Sequence, residues 1–173
     1  MTLNTSNPDA AKPAASGYLA LAGRAERRWM GKTQTDFLAT GGSTGGKFCL
    51  VDEIGFKGDT VPLHKHDADD ESFYVLDGEI SISIGGGPAI PAPKGSFAHV
   101  PSGTVHGFRV ESKRARYLIL TSAQHGDFYK AISDASKADG SAPGKAVEGS
   151  RIEAACKKFC VDYVGPFPGA NKP

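Results

Sequence analysis

Residues 58–78 read GDTVPLHKHDADDESFYVLDG, with two histidines one residue apart and a run of acids behind them. Imidazole and carboxylate together are a mixed nitrogen and oxygen donor set for a divalent transition metal. In an extended strand alternate side chains share a face. His64 and His66 therefore point together, and Lys65 points away. The DADD segment reads as a solvated turn, which leaves Asp67, Asp69 and Asp70 outside the ligand set. A hairpin return through that turn would bring Glu71 beside the two histidines. A third imidazole is available from His106 in PSGTVHGF, where the Pro101–Gly103 turn redirects the chain. Three neutral nitrogens and one carboxylate can leave coordination positions open to water, O2 or substrate. His99 lacks a partner motif and reads as a core or rim histidine. His125 follows the last predicted strand and reads as surface.

Such side chains need a rigid frame. The chain has 173 residues, enough for one domain with a real core. Residues 1–17 lack periodicity and read as a mobile tail. From 18 to 125, short apolar runs alternate with glycine and proline, which predicts an all-β sandwich or barrel. Strands are expected at 33–39, 47–54, 61–66, 72–78, 79–85, 96–101, 104–110 and 115–121, with a hairpin loop at 40–46. In EISISIG, Ile80, Ile82 and Ile84 alternate with Glu79, Ser81 and Ser83, so one face should be buried and one wet. Pro88, Pro91 and Pro93 mark a loop or sheet edge. Residues 126–173 read as a C-terminal helical extension. Within it Ile152, Ala155, Cys156 and Phe159 form one helix face, with Ser150 as N-cap, packed outside the barrel. By strand parity Phe73 and Val75 follow Glu71, and Phe108 follows His106. With Ile82 they either line an apolar substrate pocket or pack the core; the parity fits both.

Composition removes several function classes. The net charge is +1, so no overall field recruits nucleic acid or an anionic membrane. Arg24, Arg27 and Arg28 share their neighbourhood with Glu26 and read as a solvated face. Three cysteines are too few for a disulfide framework and fit a reducing, cytoplasmic setting. Cys156 and Cys160 read as small buried hydrophobes. No run approaches the ~18 apolar residues of a membrane span.

The spacing carries a resemblance. Gly58, His64, His66, Glu71 and Gly78 lie at the intervals of one signature motif of the cupin superfamily, and Gly95, Pro101, Gly103 and His106 at those of the second. Val110 departs from the pattern, since the second motif commonly ends in Asn, which is not a metal ligand. The lead-in ATGGSTGGKFCLVDE and the tail RIEAACKKFCVDYVGPFPG extend the likeness to small single-domain cupins similar to quercetin 2,3-dioxygenase. The resemblance implies an all-β double-stranded β-helix, or jelly-roll, barrel. It implies one divalent ion held by His64, His66, Glu71 and His106, with Fe, Ni or Mn ahead of Co, Cu or Zn. It further implies that Glu71 takes a proton from an aromatic or enolic substrate that O2 then attacks, and a homodimer to which 18–39 lends an exchanged edge strand. Two other readings keep the fold: a metal Lewis-acid isomerase, lyase or decarboxylase, and a cupin that binds a small molecule without turnover.

Overall fold

The structure is a computed structural model that describes residues 17–169. The expected tail lies outside the described residues, apart from Gly17. In chain order the elements are β1 (Glu26–Met30), β2 (Thr33–Ala39), α1 (Gly41–Thr44), β3 (Cys49–Phe56), β4 (Thr60–His66), β5 (Glu71–Asp77), β6 (Glu79–Ile84), β7 (Ile90–Pro93) and β8 (Phe97–Val100). They continue with β9 (His106–Val110), β10 (Arg114–Thr121), α2 (Ala123–Ala131), β11 (Asp134–Ala135), α3 (Gly149–Phe159) and β12 (Val161–Gly165). The strands form two antiparallel sheets. One runs β11-β1-β2-β3-β10-β5-β8 and the other β12-β4-β9-β6-β7. This is the predicted jelly-roll arrangement, with two Greek-key sheets packed face to face.

The core fills the space between the sheets. Phe37, Val51, Phe73, Val75, Tyr117 and Ile119 come from the larger sheet, and Ile80, Ile82, Phe108 and Val110 from the smaller. Strand parity delivers them: on β5, Glu71, Phe73 and Val75 are buried while Tyr74 is exposed. The prolines behave as expected, since β7, which holds Pro91 and Pro93, is an edge strand.

Several expectations are corrected. The serine face of β6 is not wet: Ser81 and Ser83 are buried, and the Ser83 hydroxyl donates to the Gly87 carbonyl in the loop folded over it. Residues 40–46 hold a capped helical turn, in which Thr40 and Ser43 exchange side-chain and backbone hydrogen bonds. α3 starts with Glu148 as N-cap and without a side-chain cap bond, so Ser150 lies inside the helix. Of its predicted apolar face Ala155 is buried, Cys156 and Phe159 pack partly against the core, and Ile152 is exposed. Cys160 is exposed and ends α3 in the left-handed conformation, φ 55°, so it is no buried hydrophobe. The segment after 126 is not purely helical, because β11 joins one sheet and β12 pairs with β4 in the other. β1 pairs with β2 and β11 of its own chain. Arg27 is held by Asp36, and Arg28 by Glu26 and the Ser133 carbonyl. Among the described residues no helix is long and apolar enough to cross a membrane.

Candidate metal centre

The four side chains singled out by their spacing meet between the sheets. β4 and β9 are neighbours, and their register sets His64 opposite His106. Gly107 lets the strands close up, since a Cβ there would sit 2.8 Å from the carbonyl oxygens of both Val61 and Pro62. The ring centroids of His64 and His106 are 4.3 Å apart, those of His66 and His106 5.0 Å, and those of His64 and His66 5.7 Å. Glu71 arrives by a different route from the one expected. β4 and β5 belong to different sheets, so residues 67–70 cross the gap and do not close a hairpin. The carboxylate then faces the imidazoles from the opposing sheet. One donor atom from each of His64, His66, Glu71 and His106 lies within 4.8 Å of all the others.

The hydrogen bonds fix which nitrogens face inward. Nδ1 of His64 lies 2.9 Å from the Pro62 carbonyl, Nδ1 of His66 2.7 Å from that of Asp69, and Nδ1 of His106 2.8 Å from that of Thr104. A carbonyl only accepts, so each Nδ1 carries the hydrogen and each Nε2 is left with its lone pair. Nε2 of His66 is buried with no hydrogen-bond partner. Nε2 of His106 meets Glu71 Oε2 at 2.9 Å, and Nε2 of His66 stands 3.7 Å from the same oxygen. Lone pairs aimed at a carboxylate repel unless a proton or a cation sits between them. A divalent ion satisfies all four groups at once, so the donor set fits one.

Electrostatics separates the imidazoles. For His66 burial acts to lower the pKa, but the Glu71 carboxylate and the Asp69 carbonyl outweigh it and raise it, so an ion arriving there competes with a proton. Burial, and after it the neighbouring His106, pushes His64 down to about 4, which keeps it neutral at pH 7. For Glu71 burial acts to raise the pKa, but the imidazoles of His106 and His66 facing it and the adjacent His125 outweigh it. The carboxyl is held well below its usual range and is ionised at neutral pH.

Three residues around Glu71 were not anticipated. Asp69, read as solvated turn, is buried, and its carboxylate accepts from the Ser122 hydroxyl. Asp67 does stay exposed, paired with Lys65, and exposed Asp70 accepts from the Ser102 amide. His125, read as surface, is 1% exposed and stacks at a tilt on His66, centroids 4.2 Å apart. Its Nε2 is 3.6 Å from Glu71 Oε1 and its Nδ1 3.8 Å from Asp69 Oδ2. Tyr129, one helical turn further on, donates its hydroxyl to Glu71 Oε1. The available signal was the spacing of His125, Phe128 and Tyr129, which puts all three on one face of α2. His99 is exposed on β8 and bonds to Ser72, away from the cluster.

Phe73, Val75, Phe108 and Ile82 lie further along the strands that carry the cluster, or beside them. All four are buried, and Phe73 meets Phe108 edge-on at 5.5 Å, as Phe108 meets Tyr117 at 5.4 Å. Glu53 points into the same interior. It accepts from Thr35 at 2.8 Å and from Tyr117, and burial lifts its carboxyl to about 7.

With the site described, comparison with known proteins is informative. Residues 56–121 match the family described as the cupin domain. Quercetin 2,3-dioxygenase of Bacillus subtilis (strain 168) is 36% identical over 104 residues, which is 60% of this chain and 31% of that protein. The chain thus spans less than a third of that relative's length. KdgF from Halomonas sp. superposes with a TM-score of 0.56 at 17% identity, covering 62% of this chain and 94% of that one. An RmlC-like cupin from Shewanella frigidimarina NCIMB 400 gives 0.55 at 19% identity, covering 65% and 96%. At such identities the two structures speak for the fold alone.

Proposed function

The chain carries a cupin domain, and from that premise we propose that it is a metal-dependent enzyme, a dioxygenase acting on a small aromatic or enolic molecule of flavonol or catechol type. His64, His66, Glu71 and His106 would hold one divalent ion, with Fe, Ni or Mn ahead of Co, Cu or Zn. When bound, the ion supplies Lewis acidity toward an anionic substrate oxygen. The observation that carries this reading is the convergence of inward-facing imidazole lone pairs on one ionised carboxylate. The identity to quercetin 2,3-dioxygenase supports the choice of chemistry.

The chain's own residues have distinct tasks. The three backbone carbonyls each accept from an Nδ1, which fixes the ring orientation and aims each Nε2 at the ion's position. Glu71 is ionised and takes the proton of the substrate hydroxyl. O2 then adds to the electron-rich deprotonated substrate, and both of its atoms enter the products as the ring opens. Phe73, Val75, Phe108 and Ile82 form an apolar floor that excludes water and suits an aromatic ring better than a small dianion.

Elemental analysis of natively purified protein, beside His66→Ala, tests the ligand set. One ion per chain is expected in the wild type, with loss in the variant; equal retention in both would sink the assignment. Oxygen consumption by the loaded protein with a flavonol and catechol panel tests the reaction. Turnover that persists under strict anaerobiosis would refute the dioxygenase and point to Lewis-acid chemistry.

A further inference from the structure

Glu71 is shared between two structural elements. Oε2 faces the imidazoles of β4 and β9, 2.9 Å from His106 and 3.7 Å from His66. Oε1 faces the opposite way, toward α2, where it accepts the Tyr129 hydroxyl and lies 3.6 Å from His125. A carboxylate on a flexible glutamate stem can rotate and offer one oxygen or two. Here one oxygen is already engaged.

The helix that engages it is firmly seated. Ser122 caps α2 by accepting from the His125 amide at 3.0 Å, and its hydroxyl donates to Asp69 in the crossover that links His66 to Glu71. Gly126 lies so close to β3 that a Cβ there would stand 2.5 Å from Cys49 Cβ. A Cβ on Gly41 of α1 would stand 2.9 Å from that of Ala123. Tyr129 and Phe128 are buried. The phenol therefore reaches Oε1 from a helix pinned at its cap and along its length.

We propose that Tyr129 is a positioning residue for Glu71: by occupying Oε1 it leaves Oε2 as the one carboxylate oxygen offered to the ion, and so preserves a coordination position for substrate. The proposal rests on the metal reading given above. It predicts that Tyr129→Phe keeps the ion but changes its surroundings. Freed from the phenol, Glu71 turns both oxygens toward the ligand cluster.

The test uses full-length protein loaded with Co(II), whose visible absorption weakens as coordination number rises, and azide as a probe of the open position. The wild type should give a spectrum that shifts on azide addition. Tyr129→Phe should absorb more weakly and bind azide on the order of tenfold less tightly, about the worth of one hydrogen bond to a charged group. Phe128→Leu keeps a large apolar side chain at a buried position of α2, so the helix stays seated and Tyr129 stays on Glu71, and it should leave spectrum and azide affinity unchanged. Gly126→Ala pushes α2 away from β3 and should reproduce the Tyr129→Phe spectrum, which also covers the case of a Tyr129→Phe protein that does not fold. If the wild type binds no Co(II), the metal reading fails and takes the proposal with it. If the wild type binds Co(II) and azide, and neither Tyr129→Phe nor Gly126→Ala changes the spectrum or the azide affinity, the proposal alone is overturned.

Discussion

Glu53 offers a quantitative test of how the barrel interior treats charge. It points inward from β3, is 1% exposed, and is held by the hydroxyls of Thr35 and Tyr117. Burial raises its carboxyl from 4.5 to about 7, and the charge of Glu71 adds to the rise. A carboxyl with a folded pKa above its unfolded value contributes stability that is complete below the unfolded value. That contribution is lost as pH rises through the folded one. The window therefore runs from about 4.5 to somewhat above 7. A shift of this size corresponds to about 3 kcal/mol, of which about 2 to 3 kcal/mol falls between roughly pH 5 and pH 8.5. Glu53→Gln removes the titration while keeping the shape. Urea unfolding of both proteins at the two pH values, in chelator so that no ion neutralises Glu71, isolates the effect, because every other group titrates in both. Glu53→Gln should gain about 2 to 3 kcal/mol on the wild type as pH rises from about 5 to 8.5. An unchanged difference, or a gain on the acid side, would refute the claim that this carboxyl is buried without a compensating charge.

Two further substitutions probe the frame. Phe108→Ala removes a ring packed edge-on against both Phe73 and Tyr117, and should cost about 3–5 kcal/mol in denaturant unfolding. A cost below ~1 kcal/mol would mean that these rings face an open, adaptable cavity and not a packed floor. Arg151 fastens α3 to the α2–β11 connection, donating to the carbonyls of Ala131 and Ser133 and pairing with Asp134. Arg151→Met should cost about 1–3 kcal/mol and raise amide exchange in α3 and in the 137–148 connection, while the exchange of β4 and β9 stays as in the wild type.

Much of the molecule could be read before it was folded, for identifiable reasons. Strands β2, β5, β6 and β10 alternate strongly and are bounded by glycine or a turn, so local pattern placed them to within a residue or two. The inward parity of His64, His66, Glu71 and His106 follows from the two-residue repeat once each strand is placed. What parity does not contain is which sheet a strand joins. The turn at 67–70 looks the same whether it closes a hairpin or crosses to the facing sheet, and only the strand order shows that it crosses. β12 was missed because its residues Asp162, Tyr163 and Val164 are all exposed on an outer strand, which leaves no alternation to detect.

His125 and Asp69 were misplaced for a related reason. Each is polar and stands next to a turn, and local sequence assigns such residues to solvent. Their burial comes from α2 folding back across the cluster after β10, a contact between segments more than fifty residues apart. A buried carboxylate or imidazole is tolerated only with partners, and here the partners reach one another through Glu71 and Ser122. The helix thus has its Ser122 cap and its Tyr129 hydroxyl satisfied by the site, and the site has one of its oxygens satisfied by the helix. This mutual dependence ties the seating of α2 to the chemistry. A change that only loosens α2 on β3, far from any substrate, should alter how Glu71 meets an ion before it alters the barrel that carries the three histidines.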